Sequence, residues 1–294
     1  MKIPVRYDLV RTMRGLALIQ GDPTLSISTS AAWFATRTPS GPGSLGILFT
    51  SDLRFEAYGP GADWLLERAD AIAGLRDDLT GFDELARAHP LVARLAREHA
   101  GLRIAATGRV FHHLVPAIIG QKVTGKEAHH SYVRLLRRLS EPAPGPCRGL
   151  LLPPDPEVIA ATPYWAMHPL GIEQKRADTL RRAAAHAAAL ERCADAASCT
   201  ARLVSIAGIG PWTAAEVTRA AYGDPDAVSV GDYNIKNNVT FALTGAPRGT
   251  DEHMLELLAP FAPHRGRVCA LIAAAGIGAP RFGPRMPIRS FARY

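Results

Sequence analysis

The sequence predicts a mostly α-helical protein with an N-terminal α+β domain. Three observations support this fold class. β-Branched and aromatic residues are concentrated between Tyr7 and Tyr58, and apolar residues recur at helical spacing from about residue 80 onward. Of the 294 residues, 47% are hydrophobic and 21% are charged, which provides ample material for a core and excludes a disordered or collagen-like chain.

The first 80 residues are expected to form the α+β domain. The pattern is strand-like from Tyr7 to about Tyr58, with the turn-rich residues Ser40 to Gly43 in the middle. The segment ADWLLERADAIAGL, residues 62–75, then has helical periodicity. We therefore predict a small antiparallel sheet followed by a helix.

Helical periodicity dominates the rest of the chain, and strand signals nearly vanish. The predicted helical segments are 82–100, 111–140, 155–162, 175–194, 211–223, 232–245 and 264–276. The longest uncharged apolar run, residues 268–280, has thirteen residues, fewer than the roughly 18 that a membrane span requires. The N-terminus has charged residues where a signal peptide needs an apolar stretch, so we expect a cytoplasmic protein without a membrane partner.

The positive charge is concentrated in the later part of the chain. The formal net charge is +7, but residues 1–100 carry a net charge of −1 and residues 101–294 carry +8. Six arginines and no acidic residue follow Glu256, namely Arg265, Arg267, Arg281, Arg285, Arg289 and Arg293. This asymmetry favours a polyanionic partner such as nucleic acid, and plain solubility is the alternative.

The cysteines and histidines give no pattern of metal ligands. The four cysteines lack the paired spacing of a zinc site or an iron–sulfur cluster, so we expect neither. The pairs His112–His113 and His129–His130 have no second type of ligand at suitable spacing except Glu127. We interpret them as a solvated helix face.

The segment LVSIAGIGPWTAAEV, residues 203–217, predicts two helices joined by a glycine hairpin. Gly208 and Gly210 flank Ile209, which would anchor the turn, and a proline follows at the first position of the next helix. Backbone N–H groups at such a helix start, up to Thr213, suit phosphate binding without reading bases. A purely structural hairpin is the alternative.

The motif GIGPWTAAEV followed by VSVGDYNIK resembles the helix-hairpin-helix DNA glycosylase superfamily, and most of all its 3-methyladenine DNA glycosylase II family. Three further segments are similar to motifs of that family: AIIGQKVTGKEA (117–128), LGIEQKRADTLRRAA (170–184) and APHRGRVCALI (262–272). The resemblance covers about residues 80–276 and implies the helix-hairpin-helix DNA glycosylase architecture. It divides the chain into domains at 1–80, at 81–110 with 231–294, and at 111–230.

The resemblance implies that Asp232 is the catalytic residue. Breaking a base–sugar bond develops positive charge on the sugar, which a carboxylate can stabilise while it orients or deprotonates a water molecule. The alternative is that Asp232 caps helix 233–244, and both roles can coexist.

Trp212 occupies the position at which the lyase branch of the superfamily has its nucleophilic lysine. We therefore expect a monofunctional glycosylase that uses water and stacks the extruded base on the indole. A core tryptophan is the alternative.

Three positions depart from the pattern of the family. Lys122 stands where the family has an apolar DNA wedge, Glu216 where it can have a tyrosine, and His264 where it has an aromatic residue. Glu216 is expected either to contact the base or to pair with Arg219, and His264 either to stack in the pocket or to lie on the surface. The base pocket would contain Trp212, Glu216, Gln121, Tyr233 and His264, whereas the DNA backbone would contact Gly208, Ile209, Gly210, Thr213, Arg265 and Arg267.

The expected function is excision of alkylated bases of the 3-methyladenine type from double-stranded DNA in base excision repair. A superfamily member acting on oxidised or mispaired bases and a non-catalytic DNA-damage-binding protein are the alternatives. We expect a monomer associated with the nucleoid that requires no cofactor. The resemblance also implies a monovalent cation at the hairpin carbonyls and no metal at the active site.

Overall fold

The computed structural model describes residues 6–49 and 52–280. The four arginines of the basic tail from Arg281 to Arg293 lie outside these described residues. No helix in the described ranges is long and apolar enough to cross a membrane.

The N-terminal part contains a four-stranded antiparallel sheet in the order β1-β2-β3-β4. Its strands are β1 (Leu25–Ile27), β2 (Ala31–Thr38), β3 (Gly41–Phe49) and β4 (Leu53–Tyr58). Phe34 pairs with Leu45 across the sheet, and both side chains are buried. The predicted sheet is confirmed.

The chain ahead of the sheet is not a strand, contrary to the prediction. Residues Leu9–Arg14 form helix α1, and the Asp8 carboxylate accepts a hydrogen bond from the Arg11 amide at its start. Val10 and Thr12 give this segment β-branched character, but the cap and the burial of Leu9 and Met13 on one face favour the helix.

The body of the molecule is helical, as predicted. The other helices are α2 (Ala62–Leu66), α3 (Ala69–Ile72), α4 (Phe82–Ala86), α5 (Pro90–Glu98), α6 (Val110–Ile119), α7 (Gly125–Leu139), α8 (Pro156–Ala161), α9 (Tyr164–Met167), α10 (Gln174–Ala185), α11 (Ala187–Leu190), α12 (Ala196–Val204), α13 (Pro211–Tyr222), α14 (Ile235–Thr244), α15 (Asp251–Leu258) and α16 (Arg265–Ala274). Short 3-10 helices span His168–Leu170 and Ala259–Phe261.

The segment 111–140, expected as one helix, is two helices with a turn between them. Helix α6 ends at Ile119, and the buried Arg176 guanidinium donates to the Ile119 carbonyl at 2.7 Å. Helix α7 begins with a capping box in which Thr124 and Glu127 satisfy each other's backbone N–H groups. Between the helices, Lys122 has a φ of 56°, the one positive φ of a non-glycine residue among those described.

Buried apolar residues form three main clusters in the described chain. One includes Leu114 of α6, Leu180 of α10 and Val217 of α13. A second joins the sheet to α1, α2 and α3, and a third packs α4 and α5 against α14, α15 and α16. The domain boundaries expected from the sequence stay a prediction. Helices α6, α10 and α13 pack together and carry the candidate site.

Two histidines interpreted as solvent-facing are buried where α6 meets the sheet. The Nδ1 and Nε2 atoms of His112 lie 3.0 Å and 3.2 Å from the hydroxyls of Thr36 and Thr24. Nε2 of His113 lies 2.8 Å from the hydroxyl of Thr107. Burial, with a smaller contribution from the positive charge of Arg109, lowers the pKa of His112 to about 3. The interpretation as a solvated face was wrong for this pair.

Candidate functional site

The glycine hairpin between α12 and α13 is fixed by the burial of Ile209 and by the backbone conformation of Gly208. Ile209 is 6% exposed and packs into the cluster of α6, α10 and α13, which confirms its anchoring role. Gly208 has a φ of +98°, and a Cβ atom there would overlap the Thr179 hydroxyl. Glycine is therefore required at position 208 both for the backbone conformation and for the close approach of α10.

Two side chains from neighbouring elements hold the hairpin carbonyls. The Gln121 amide donates to the Gly208 carbonyl at 3.0 Å and to the Thr213 hydroxyl at 2.9 Å. The Arg182 guanidinium donates to the Ala207 carbonyl at 3.0 Å. Gln121, expected in the base pocket, thus joins the α6–α7 turn to the hairpin.

The far side of the hairpin is open. A Cβ atom on Gly210 would meet nothing within 4 Å. Pro211 has no N–H, and the backbone N–H groups of Trp212 and Thr213 lie in the first turn of α13, where a helix has no acceptor of its own. An anion can approach the amide of the half-buried Trp212 and the positive end of the helix dipole, whereas Thr213 is 2% exposed and its DNA contact stays a prediction.

Trp212 lies in the same first turn and is half-buried. Its ring approaches the end of α6, since the indole Cη2 lies 3.6 Å from the Cβ position of Gly120. The indole Nε1 is buried and has no hydrogen-bond partner in the part of the chain that the structure describes. The indole thus lies between the hairpin and the turn that carries Lys122, which is exposed. The base-stacking role of Trp212 and the wedge role of Lys122 stay predictions.

Asp232 lies in the loop between α13 and α14 and is half-buried. Its Oδ1 accepts hydrogen bonds from the Asn234 and Ile235 amides at 2.7 Å and 2.8 Å, so the side chain fixes the turn that leads into α14, although α14 begins at Ile235 with Asn234 as its N-cap and not at residue 233 as predicted. Its Oδ2 has no hydrogen-bond donor among the described residues. Tyr233, the next residue, is 82% exposed. Within the described residues, one carboxylate oxygen therefore fixes the turn while the other accepts no hydrogen bond.

Two acidic side chains contact the loop around Asp232. Glu216 on α13 accepts a hydrogen bond from the Ser229 hydroxyl and one from Arg219 at 2.8 Å, which confirms the expected pairing with Arg219. Asp251 at the start of α15 accepts one from the Gly231 amide at 3.0 Å. Sequence reasoning missed Ser229 and Asp251. Only the helix start at Thr250–Asp251 was visible in the sequence, and it does not indicate a partner.

Arg267, expected to contact the DNA backbone, is instead part of a buried ion pair. Its side chain is 3% exposed and donates two hydrogen bonds to Asp77, one of them 2.9 Å long. Its Nε donates to Nδ1 of His264 at 3.1 Å, and its guanidinium lies 5.4 Å from the Phe82 ring centroid. The prediction for Arg267 was wrong, because a guanidinium enclosed in this way cannot reach a phosphate.

His264 is also buried. It is 5% exposed, and its ring centroid lies 5.1 Å from that of Phe82. Burial lowers its pKa, and the positive charge of Arg267 contributes in the same direction. The expected surface position was wrong, and the ring packs on Phe82 instead of offering a free face to a base. Arg265, by contrast, is 35% exposed and paired with Asp226, so its DNA contact stays a prediction.

No protein-family model matches the sequence, and no curated protein matches it. Solved structures do match: the chain has the fold of the helix-hairpin-helix DNA glycosylases, and the predicted architecture is confirmed. The 3-methyladenine DNA glycosylase from Archaeoglobus fulgidus aligns with a TM-score of 0.76 over 93% of this chain and 97% of its own, at 15% identity.

Two further structural neighbours have different substrates in their names. The 3-methyladenine DNA glycosylase Mag1 of Schizosaccharomyces pombe, solved with abasic DNA, has a TM-score of 0.53 over 65% of this chain and 94% of its own, at 21% identity. The 8-oxoguanine glycosylase/lyase of Clostridium acetobutylicum has a TM-score of 0.59 over 85% and 98%, at 12% identity. At these identities the comparisons show a shared fold.

Proposed function

We propose that this protein is a monofunctional DNA glycosylase of base excision repair that removes alkylated bases of the 3-methyladenine type from duplex DNA. One observation carries the proposal. Asp232 fixes the turn into α14 with Oδ1, and its Oδ2 has no donor in the described part of the chain, in the loop that follows the hairpin helix α13. The shared glycosylase fold supports it.

The hairpin would hold the DNA. The N-terminal end of α13, with the amide of the half-buried Trp212, would bind a phosphate irrespective of sequence, and we propose Arg265 as a further charged contact. Lys122 lies on the exposed turn that Gln121 joins to the hairpin. Lys122 has a left-handed backbone conformation and is exposed, and its proposed role is to enter the space left by an extruded base. Extrusion costs a few kcal/mol, and this cost is lowest for damaged bases.

The reaction would be hydrolysis. As the N-glycosidic bond breaks, the bonding electron pair leaves with the base and positive charge develops on the sugar. The Asp232 carboxylate stabilises this charge and orients a water molecule, whose oxygen bonds to C1′ while its proton passes to the carboxylate. The products are the free base and an abasic site.

The aromatic side chains would select the base. The indole of Trp212 offers a π-face that attracts a cationic alkylated purine more strongly than a neutral one. Tyr233, exposed beside Asp232, adds a second aromatic surface. Because an indole has no amine that could form a Schiff base, we expect water to be the nucleophile and no strand cleavage to follow.

The test is release of free bases from methylated genomic DNA, identified by mass spectrometry. Wild type and the control Asp155→Asn, which changes a cap on the distant helix α8, should release methylpurines. Asp232→Asn should release them at least about 100-fold more slowly. Borohydride should trap no covalent adduct with DNA. A wild type that binds DNA but releases no methylpurine, or that is trapped, would contradict the proposal.

Oxidised bases are the second candidate substrate, because an 8-oxoguanine glycosylase/lyase is among the structural neighbours. A duplex with 8-oxoguanine opposite cytosine, and mispaired duplexes, distinguish the two. Binding without release from any of them would indicate a damage-binding protein. We further propose that the protein acts as a monomer on the nucleoid, in the cytoplasm, without a required cofactor.

A further inference from the structure

The loop that carries Asp232 is held from two sides by acidic side chains that have no role in the proposed hydrolysis. We propose that Glu216 and Asp251 are positioning residues, which fix loop residues 229–232 and thereby set the place of the Asp232 carboxylate. This inference rests on the proposed function.

The hydrogen bonds of Asp232 do not by themselves align its carboxylate with Trp212. Its Oδ1 bonds only to the nearby amides of Asn234 and Ile235, which orients the carboxylate relative to α14. Trp212, on which the base would stack, lies on α13. Gly231 precedes Asp232 with a φ of +90° and open space around it, so the loop has no apolar packing at that point. A link across the two helices is required to align base and carboxylate.

Glu216 supplies that link from α13. Its side chain is 12% exposed, and both oxygens are engaged, one by the Ser229 hydroxyl and the other by Arg219. Ser229 is buried, and its carbonyl accepts a hydrogen bond from the Asp232 amide at 3.1 Å. Two successive hydrogen bonds thus connect α13 to the backbone of Asp232.

The same chain of contacts extends to the N-terminal domain. The second terminal nitrogen of Arg219 donates to the carbonyl of Gly15, directly after α1. Because the Arg219 side chain is 24% exposed, the ion pair with Glu216 is only partly screened by solvent. The segment that follows α1 therefore contributes to placing the loop through Arg219.

Asp251 fixes the loop from the opposite side. Its Oδ1 accepts the Gly231 amide hydrogen at 3.0 Å, and its Oδ2 lies 3.1 Å from Nζ of Lys236 on α14. Partial burial raises the pKa of Asp251, but the hydrogen bonds from Gly231 and Lys236 and the lysine charge outweigh it, so the pKa lies below its ordinary value. The acceptor is therefore ionised throughout the neutral pH range.

The test compares truncating and conservative variants in single-turnover base release. Glu216→Ala and Asp251→Ala should slow release by about 10-fold to 100-fold, because displacement by about 1 Å has effects of this size. Their affinity for damaged DNA should change less than about twofold, since no DNA contact is lost. Glu216→Gln and Asp251→Asn should recover part of the rate, because the amide oxygen can still accept the hydrogen bond from Ser229 or Gly231, whereas the amide NH2 group cannot accept the one from Arg219 or Lys236. Glu84→Ala, at an exposed pair on α4, is the control.

Amide hydrogen exchange provides a readout independent of catalysis. The amides of Gly231 and Asp232 should exchange faster in both alanine variants than in the conservative variants. Unchanged release and unchanged exchange in the alanine variants would overturn the inference. A Glu216→Gln variant that loses activity only toward cationic bases would also overturn it, because Glu216 would then contact the base. If wild type releases no base, the proposed function fails, and the exchange rates alone decide whether these residues hold the loop.

Discussion

At the scale of single residues, the clearest contrast is between Asp232 and Arg267. Asp232 bonds to amides two and three residues away, and Glu216 pairs with Arg219 three residues away, so their local roles were predictable from spacing. Arg267 and Asp77 are 190 positions apart. No periodicity or motif in a single sequence encodes such a distant pair, and this is why a buried arginine was predicted to contact DNA.

The buried pair leads to a prediction for Arg267. Arg267→Ala should lower the free energy of unfolding by about 3–5 kcal/mol, because it leaves the Asp77 carboxylate buried and unpaired. DNA affinity of the remaining folded protein should not change. Urea denaturation and DNA titration measure the two quantities. Arg265→Ala, at a half-exposed pair, is the control for stability alone and should be much less destabilising. A stable Arg267→Ala protein with lost DNA binding would contradict the assignment.

At the scale of elements, the sheet and the hairpin were predicted because their signals are local and redundant. Alternation, β-branching and turn residues coincide in the sheet, and the glycines and proline coincide in the hairpin. Helix α1 was missed because six residues are too few for a helical period to be distinguished from β-branching. The break between α6 and α7 could have been predicted, since Thr124 and Glu127 have the spacing of a capping box.

The hairpin gives a prediction that separates folding from binding. Gly208→Ala should lower the free energy of unfolding by about 1–3 kcal/mol, because alanine is strained at a φ of +98° and meets Thr179. Gly210→Ala should fold normally, since its Cβ faces open space, but should weaken DNA binding by placing a methyl group where a phosphate approaches. Thermal unfolding and DNA titration on both variants test this. Equal losses of stability would refute the distinction between the two glycines.

At the scale of the whole molecule, the contact between the sheet and α6 should make stability dependent on pH. The unfolded chain protonates His112 near its ordinary pKa of 6.5, whereas the folded protein does so only near 3. Acidification therefore favours unfolding over this interval, and at pH 5 the loss amounts to about 2 kcal/mol from this residue. Burial also lowers the pKa of His113, so His113 adds to the loss of stability on acidification.

Urea denaturation at pH 7 and pH 5 measures this dependence. His112→Gln cannot titrate but can still bond to the hydroxyls of Thr24 and Thr36. It should lose about 2 kcal/mol less than wild type between the two pH values. The buried Asp22 beside Thr24 titrates in both proteins and cancels in the comparison. Parallel losses in wild type and variant would exclude His112 as the cause.

Several arginines of this protein hold backbone carbonyls of other elements. Arg176 holds the end of α6, Arg182 holds the hairpin, and Arg219 reaches the carbonyl of Gly15. A guanidinium can do this because its rigid fork presents five donors, which a lysine ammonium cannot reproduce. A guanidinium that is bonded within the protein displaces few counterions from DNA. The salt dependence of binding should therefore reveal far fewer phosphate contacts than the 34 basic residues of the sequence suggest.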